Sequence, residues 1–207
     1  NAAARVGALG LGFVPGQGGQ DVAGIQAAAQ SGAVKVVYLL GADELDTTKF
    51  GKAFVIYHGS HGDAGAHRAD VVLPGAAYTE KDATWVNTEG RVQLGRRGVA
   101  PPGDAREDWT IVRALSEAIG QKLPYDNLGQ LRRRMLEIAP HFAGVDRVAP
   151  AAWGSFATAG MIDGNSGFVY PIDDFYLTNP IARASETMAE CSALAHGADH
   201  KATGTHG

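Results

Sequence analysis

Three short apolar runs, residues 34–40, 53–57 and 70–73, constrain the fold of this 207-residue chain more than any other feature. Each is rich in β-branched residues, barely alternates and is bounded by turn residues, which predicts strands rather than helices. Continuous apolarity along a strand means that both faces are covered, as in a parallel sheet. Gly41-Ala42-Asp43 and His58-Gly59-Ser60 follow the first two runs, at the strand ends where open α/β sheets take their ligands. The chain carries 28 glycines, nearly twice the usual share, so many tight turns and close backbone approaches are expected.

Around these runs the pattern is helical or irregular. Gly7, Gly10, Gly12, Gly16, Gly18 and Gly19 with Pro15 read as loop. Pro15 stands where a dinucleotide fingerprint would need its third glycine, and no strand precedes, so nucleotide binding is not expected there. Residues 21–30 predict a short helix, with Val22, Ile25, Ala28 and Ala29 on its apolar side and Ser31-Gly32 ending it. Asp104 and Glu107 form a capping-box-like start for a helix with Trp109, Val112, Leu115 and Ile119 on one face, stopped by Gly120. A further helix starts near Asp126 or Asn127, buries Leu128, Leu131, Met135 and Ile138, and ends at Pro140. Arg132, Arg133 and Arg134 straddle its other side; a solvated face is the favoured reading, and a docking patch for an acidic neighbour or lipid headgroup is the alternative. Beyond Gly144 sustained periodicity is lost until residues 183–195, which predicts an extended arm that wraps a neighbour or is partly disordered.

With 18 Lys and Arg against 22 Asp and Glu, the formal net charge of -4 offers no global attraction to nucleic acid or anionic lipid. The apolar runs are far too short to cross a bilayer, and Lys35 interrupts the first. A lone Cys191 excludes an internal disulfide and a multi-cysteine zinc or iron–sulfur cradle within these residues, and fits a reducing cytosol or mitochondrial matrix. His58, His61, Asp63 and His67 share one loop and are the raw material of a metal site, yet Gly59, Gly62 and Gly65 make that loop a poor rigid template. Hydrogen-bonding roles are expected instead. Ser60, His61 and Asp63 do not make a catalytic triad merely by adjacency. Cys191, His196, His200 and His206, interspersed with Gly197, Gly204 and Gly207, read as a mobile tail rather than a metal cluster. Arg91 is expected to pair internally with Glu80 or Glu89 rather than with another chain. The opening Asn-Ala-Ala-Ala-Arg lacks a methionine and a signal peptide, and reads as part of a longer subunit.

The densest stretch runs from Ala69-Asp70-Val71-Val72-Leu73-Pro74-Gly75 through Glu80-Lys81 to Asn87-Thr88-Glu89-Gly90-Arg91. It resembles the signature of the molybdopterin oxidoreductase superfamily. In its finer form, with Ala76-Ala77-Tyr78-Thr79 and Trp85-Val86, it resembles the large iron–sulfur subunit family of respiratory complex I (NADH-quinone oxidoreductase), whose mitochondrial members are the 75 kDa subunits. Phe13-Val14-Pro15-Gly16, Tyr38-Leu39-Leu40-Gly41-Ala42-Asp43, Leu123-Pro124-Tyr125-Asp126 and Asp174-Phe175-Tyr176 with Arg183-Ala184-Ser185 extend the likeness over most of the chain. The resemblance implies an α/β fold, three-layer with a mostly parallel sheet. Residues 1–144 would be the C-terminal part of the molybdopterin-oxidoreductase-like domain, and 145–207 an extended arm and tail.

The same resemblance implies a structural part of the peripheral arm, partnered by other complex I subunits, with no nucleic acid bound and no membrane insertion. The whole complex passes electrons from NADH through FMN and iron–sulfur clusters to quinone and translocates protons. FMN would sit in a partner subunit and the clusters in the amino-terminal portion of this one. No catalytic, cofactor-binding or metal residue is carried over, and Tyr57-His58-Gly59 replaces the Gln-Asp-like pair of cofactor-binding relatives. The implied location is peripheral, on the cytoplasmic face of a bacterial inner membrane or the matrix side of the mitochondrial one. The alternative is a molybdenum-pterin oxidoreductase of the formate dehydrogenase kind, with residues 41–43, 58–63 and 87–91 lining the cofactor.

Overall fold

The structure, a computed structural model, describes residues 5–150 and 172–196, and between them only Gly154, Gly160, Met161, Gly164, Gly167 and Val169. The three apolar runs form strands β1 (Val36–Leu40), β2 (Phe54–Gly59) and β3 (Val71–Pro74), parallel and in the order β1-β2-β3. Tyr38 lies opposite Ile56, and Tyr57 opposite Val72. One sheet face carries the core: Val37, Leu39, Val55 and Tyr57 are buried with Ala29 and Phe50. Ala29 comes from helix α2 (Val22–Gln30), whose N-cap Asp21 accepts from the Gly24 amide at 2.8 Å. Phe50 closes a 3₁₀ turn over Thr47–Phe50.

The expectation that all three strands are covered on both faces is overturned. Val36 and Leu40 are each 56% exposed, Phe54 46% and Val72 52%. Only β2, flanked by a strand on each side, is largely buried; β1 and β3 are edges of the sheet these residues build.

Two further elements depart from the sequence reading. Residues predicted as loop begin with helix α1 (Arg5–Gly10). Its last glycine serves as a packing gap: a Cβ on Gly10 would sit 2.8 Å from the Phe142 ring, whereas one on Gly7 would make an ordinary contact with Val86. Tertiary contact therefore overrides low helix propensity. After a short helix α3 (Ala64–Arg68), the signature stretch forms an antiparallel hairpin of β4 (Ala83–Val86) and β5 (Val92–Gly95). Its turn is held by the Asn87 side-chain oxygen, which accepts from the Glu89 and Arg91 amides at 3.1 and 2.9 Å. Arg91 pairs internally, with Glu89 at 2.5 Å rather than with Glu80, and also donates to the Asp146 carbonyl. Val86 and Val92 share a second small core with Ala139 and Phe142.

Helix α4 (Asp108–Ala118) starts after the predicted capping box: Glu107 does not cap it but accepts from the Trp109 indole at 2.8 Å. Its buried residues are Arg113 and Ser116, whereas Ile119 is exposed. Arg113 is buried because it binds the Tyr125 carbonyl, Glu117 and Asp126. Helix α5 (Leu128–Ile138) is capped by Asn127, which accepts from the Gln130 amide at 2.9 Å. The predicted buried stripe is only half covered, and Ile138 is exposed. In the segment expected to be an arm, α6 (Pro180–Arg183) and α7 (Glu186–His196) form a helical pair.

Candidate functional site

The carboxyl ends of β1 and β2 hold a dense group of ionisable side chains. Asp43, just beyond β1, is 5% exposed, and Asp63, just before α3, 6%. Asp43 accepts from the Gly65 amide and lies 3.0 Å from the Tyr57 hydroxyl, which also faces the His61 carbonyl. The phenol has one proton to donate, so it serves these acceptors one at a time. Burial pushes the Tyr57 phenol well above its ordinary pKa, and Asp43 adds to the shift, so it stays a neutral donor. Gly65 has to lack a side chain, because a Cβ would lie 2.7 Å from the Asp43 carboxylate.

Into this group reaches Arg183, at the end of α6. Its Nε donates to Asp63, its Nη1 donates to the Leu177 carbonyl at 3.3 Å, and its Nη2 lies 3.7 Å from Glu44. The side chain is 10% exposed. Asn179 fixes the base of the reach by capping α6 through the Ala182 amide.

A second polar line crosses the other sheet face. His58 is fully buried; its Nδ1 is 2.7 Å from the Tyr38 hydroxyl and its Nε2 3.0 Å from Asp108 Oδ1. The latter approach is too far out of line for a hydrogen bond, so the contact is electrostatic. A proton on Nε2 facing the carboxylate leaves Nδ1 to accept from Tyr38. Lys81 binds the other Asp108 oxygen. Burial pushes the Asp108 carboxyl up, but the neighbouring His58 and Lys81 outweigh it and hold the carboxyl below its ordinary value. Burial raises the Tyr38 phenol, and Asp108 raises it further.

The loop histidines therefore do not converge. His58 turns to Tyr38 and Asp108, His61 to Ser60 Oγ at 3.0 Å, and Asp63 to Arg183, while His67 is exposed. Cys191 is half-buried on α7, His196 packs beside Ser192 and Asp174, and His200 and His206 lie outside the described residues. Among the described residues, no three His, Cys, Asp or Glu side chains gather as a metal site would need. No helix among them is long and apolar enough to cross a membrane.

Two concavities adjoin these groups. One, of about 370 Å³ at the ends of β2 and β3, is lined by Ser60, His61, Gly75, Glu80 and Asp104 among others, with no lysine or arginine among its described lining residues. The other is a groove of about 1170 Å³ between the hairpin, α4 and α5, walled by Trp85, Trp109, Leu128, Leu131 and Met135 with Lys81 and Arg132 at its polar side. Sequence reasoning singled out Asp43, His58 and Asp63 but not Asp108, Lys81 or Arg183 as their partners. Arg183 stood out in the sequence as part of the Arg183-Ala184-Ser185 resemblance, which does not tie it to Asp63.

Comparison with known proteins places this arrangement. The family model for molybdopterin oxidoreductase matches residues 1–118, and that for the C-terminal part of the G subunit of NADH-ubiquinone oxidoreductase matches residues 147–191. The mitochondrial NADH-ubiquinone oxidoreductase 78 kDa subunit of Neurospora crassa is 46% identical over 93% of this chain and 26% of its own length. The 75 kDa subunit of Reclinomonas americana is 48% identical over 76% of the chain and 23% of its length. A Solanum tuberosum protein, mitochondrial NADH dehydrogenase [ubiquinone] iron-sulfur protein 1, is 44% identical over 93% and 25%. The chain thus spans about a quarter of the length of these relatives. Among solved structures, acetylene hydratase from Pelobacter acetylenicus aligns with a TM-score of 0.45 and 18% identity over 59% of this chain and 18% of that one. By its matching family model the chain belongs to the molybdopterin oxidoreductase family, and within it is a homologue of the 75 and 78 kDa subunits of NADH-ubiquinone oxidoreductase.

Proposed function

We propose that these residues form a structural part of a peripheral-arm subunit of NADH:quinone oxidoreductase and carry no redox centre of their own. The assembled enzyme would pass electrons from NADH through FMN and iron–sulfur clusters to quinone and couple this to proton translocation. The partners of this segment would be the cluster-bearing part of its own subunit and neighbouring subunits, at a location peripheral to the membrane. Residues 1–144 would provide the α/β body and 145–207 the closing segment.

The observation that carries this reading is the unfinished sheet. Val36 and Leu40 on edge strand β1, Val71 and Val72 on edge strand β3 and Phe54 at the start of β2 present apolar area, a surface that invites further protein to cover it. The large groove beside α4 and α5 adds two tryptophans to that unpartnered area.

The family's pterin dinucleotide is anionic, and the strand ends do not fit it. They present buried Asp43 and Asp63, with Glu80 and Asp104 in the adjoining cavity, and the nearby guanidinium of Arg183 is already engaged. Bringing phosphates to buried carboxylates costs both desolvation and like-charge repulsion. This disfavours the alternative of a molybdenum-pterin enzyme.

Native electrophoresis of gently solubilised membranes, probed for this chain and stained for NADH dehydrogenase activity, tests the assignment. Co-migration in one very large active band is expected. A smaller band lacking that activity and containing molybdenum would overturn it.

A further inference from the structure

The ligand site that a parallel sheet offers at its strand ends is filled here by a side chain from far along the same polypeptide. Arg183 and Asp63 are 120 residues apart in sequence, yet their side chains are only 10% and 8% exposed where they meet. A buried arginine is stable only when its donors are matched and its charge is countered, and the strand ends supply the counter-charge. Asp63 takes Nε and the Leu177 carbonyl takes Nη1. Nη2 is buried with no hydrogen-bond partner among the described residues, and the Glu44 carboxylate lies 3.7 Å away. Near them, Asp43 accepts hydrogen bonds from the Tyr57 hydroxyl and the Gly65 amide.

We propose that the crevice at the carboxyl ends of β1 and β2 is a guanidinium site, closed by Arg183 as a latch that fastens α6 and α7 to the sheet. Its ligand chemistry is cationic, opposite to that of the family's dinucleotide. When the latch is removed, Asp63 loses its counter-charge, so the emptied site takes a free guanidinium ion from solution. The latch does not depend on the scaffold reading, since it concerns how the chain holds its own closing helices whatever covers the rest of the sheet.

Hydrogen–deuterium exchange on the full-length protein tests this. In Arg183→Ala, exchange across α7 is expected to rise by about a hundredfold, the scale set by breaking a buried ion pair, and the loop over residues 60–66 should also lose protection. Millimolar methylguanidinium should restore the loop saturably while leaving α7 open, and the added change Asp63→Asn should abolish that rescue. Unchanged exchange in Arg183→Ala, the absence of saturable rescue, or protection of the loop by guanosine diphosphate in place of methylguanidinium would each overturn the proposal. Should Arg183→Ala fail to fold, Arg183→Lys and Asp63→Asn carry the test as a double-mutant cycle. A double variant no looser in α7 than Asp63→Asn alone supports the latch, and additive loosening overturns it.

Discussion

His58 joins two parts of the molecule that no contiguous motif connects: a strand inside the sheet and the first residue of α4, with Tyr38 of β1 on the other side of the ring. Replacing His58 by Leu would strand the Tyr38 hydroxyl and remove the electrostatic contact to Asp108. The expected cost is about 1–3 kcal/mol, read as a lowered denaturant midpoint; an unchanged midpoint would mean that water serves those groups equally well. Asp108 also gives the protein an acid limit. Its carboxyl is held below its ordinary value in the folded state, so its contribution is fully present above about pH 4 and is lost as the pH falls through the folded value. The melting temperature of Asp108→Asn should therefore fall less steeply on acidification than that of the native protein. At this scale the sequence marks His58 and Asp63 as polar residues in a glycine-rich loop, but their roles depend on partners 20 to 120 residues away in the chain, which spacing alone does not reveal.

Elements were legible where one local signal was strong and unopposed. β1 to β3 are continuous apolar runs between turns, and α2 and α5 have capping residues, Asp21 and Asn127, that bind the amides the pattern demands. Asn127→Ala should destabilise the chain by about 1 kcal/mol without altering its fold, as judged by denaturation alongside circular dichroism. The β4–β5 hairpin was not legible, because four-residue strands with Ala83, Gln93 and Gly95 among them carry too little β pattern to stand out. α1 was hidden by its own glycines, which read as helix breakers until Phe142 is seen against Gly10. Gly10→Val should push on that ring and cost about 1–3 kcal/mol, with the loss concentrated in the small core of Val86, Val92, Ala139 and Phe142. A neutral outcome in the same unfolding assay would show that α1 does not need this close approach.

Across the molecule as a whole, the sheet has one face that carries its main core and another that is covered around His58 and Asp108 but open at Val36, Leu40, Phe54 and Val71. Composition could not reveal this, since an apolar run reads the same whether its second face meets a helix of this segment or another part of an assembly. If these residues are a scaffold, the second face is an interior surface of a larger complex. Hydroxyl-radical footprinting of the protein in its native membrane assembly reads that burial residue by residue, with Val36, Leu40, Phe54 and Val71 as reporters. These four are expected to be as unreactive as fully buried Val55, despite being 39% to 56% exposed here. Labelling of the four at the level of exposed side chains in the intact assembly would contradict the scaffold role.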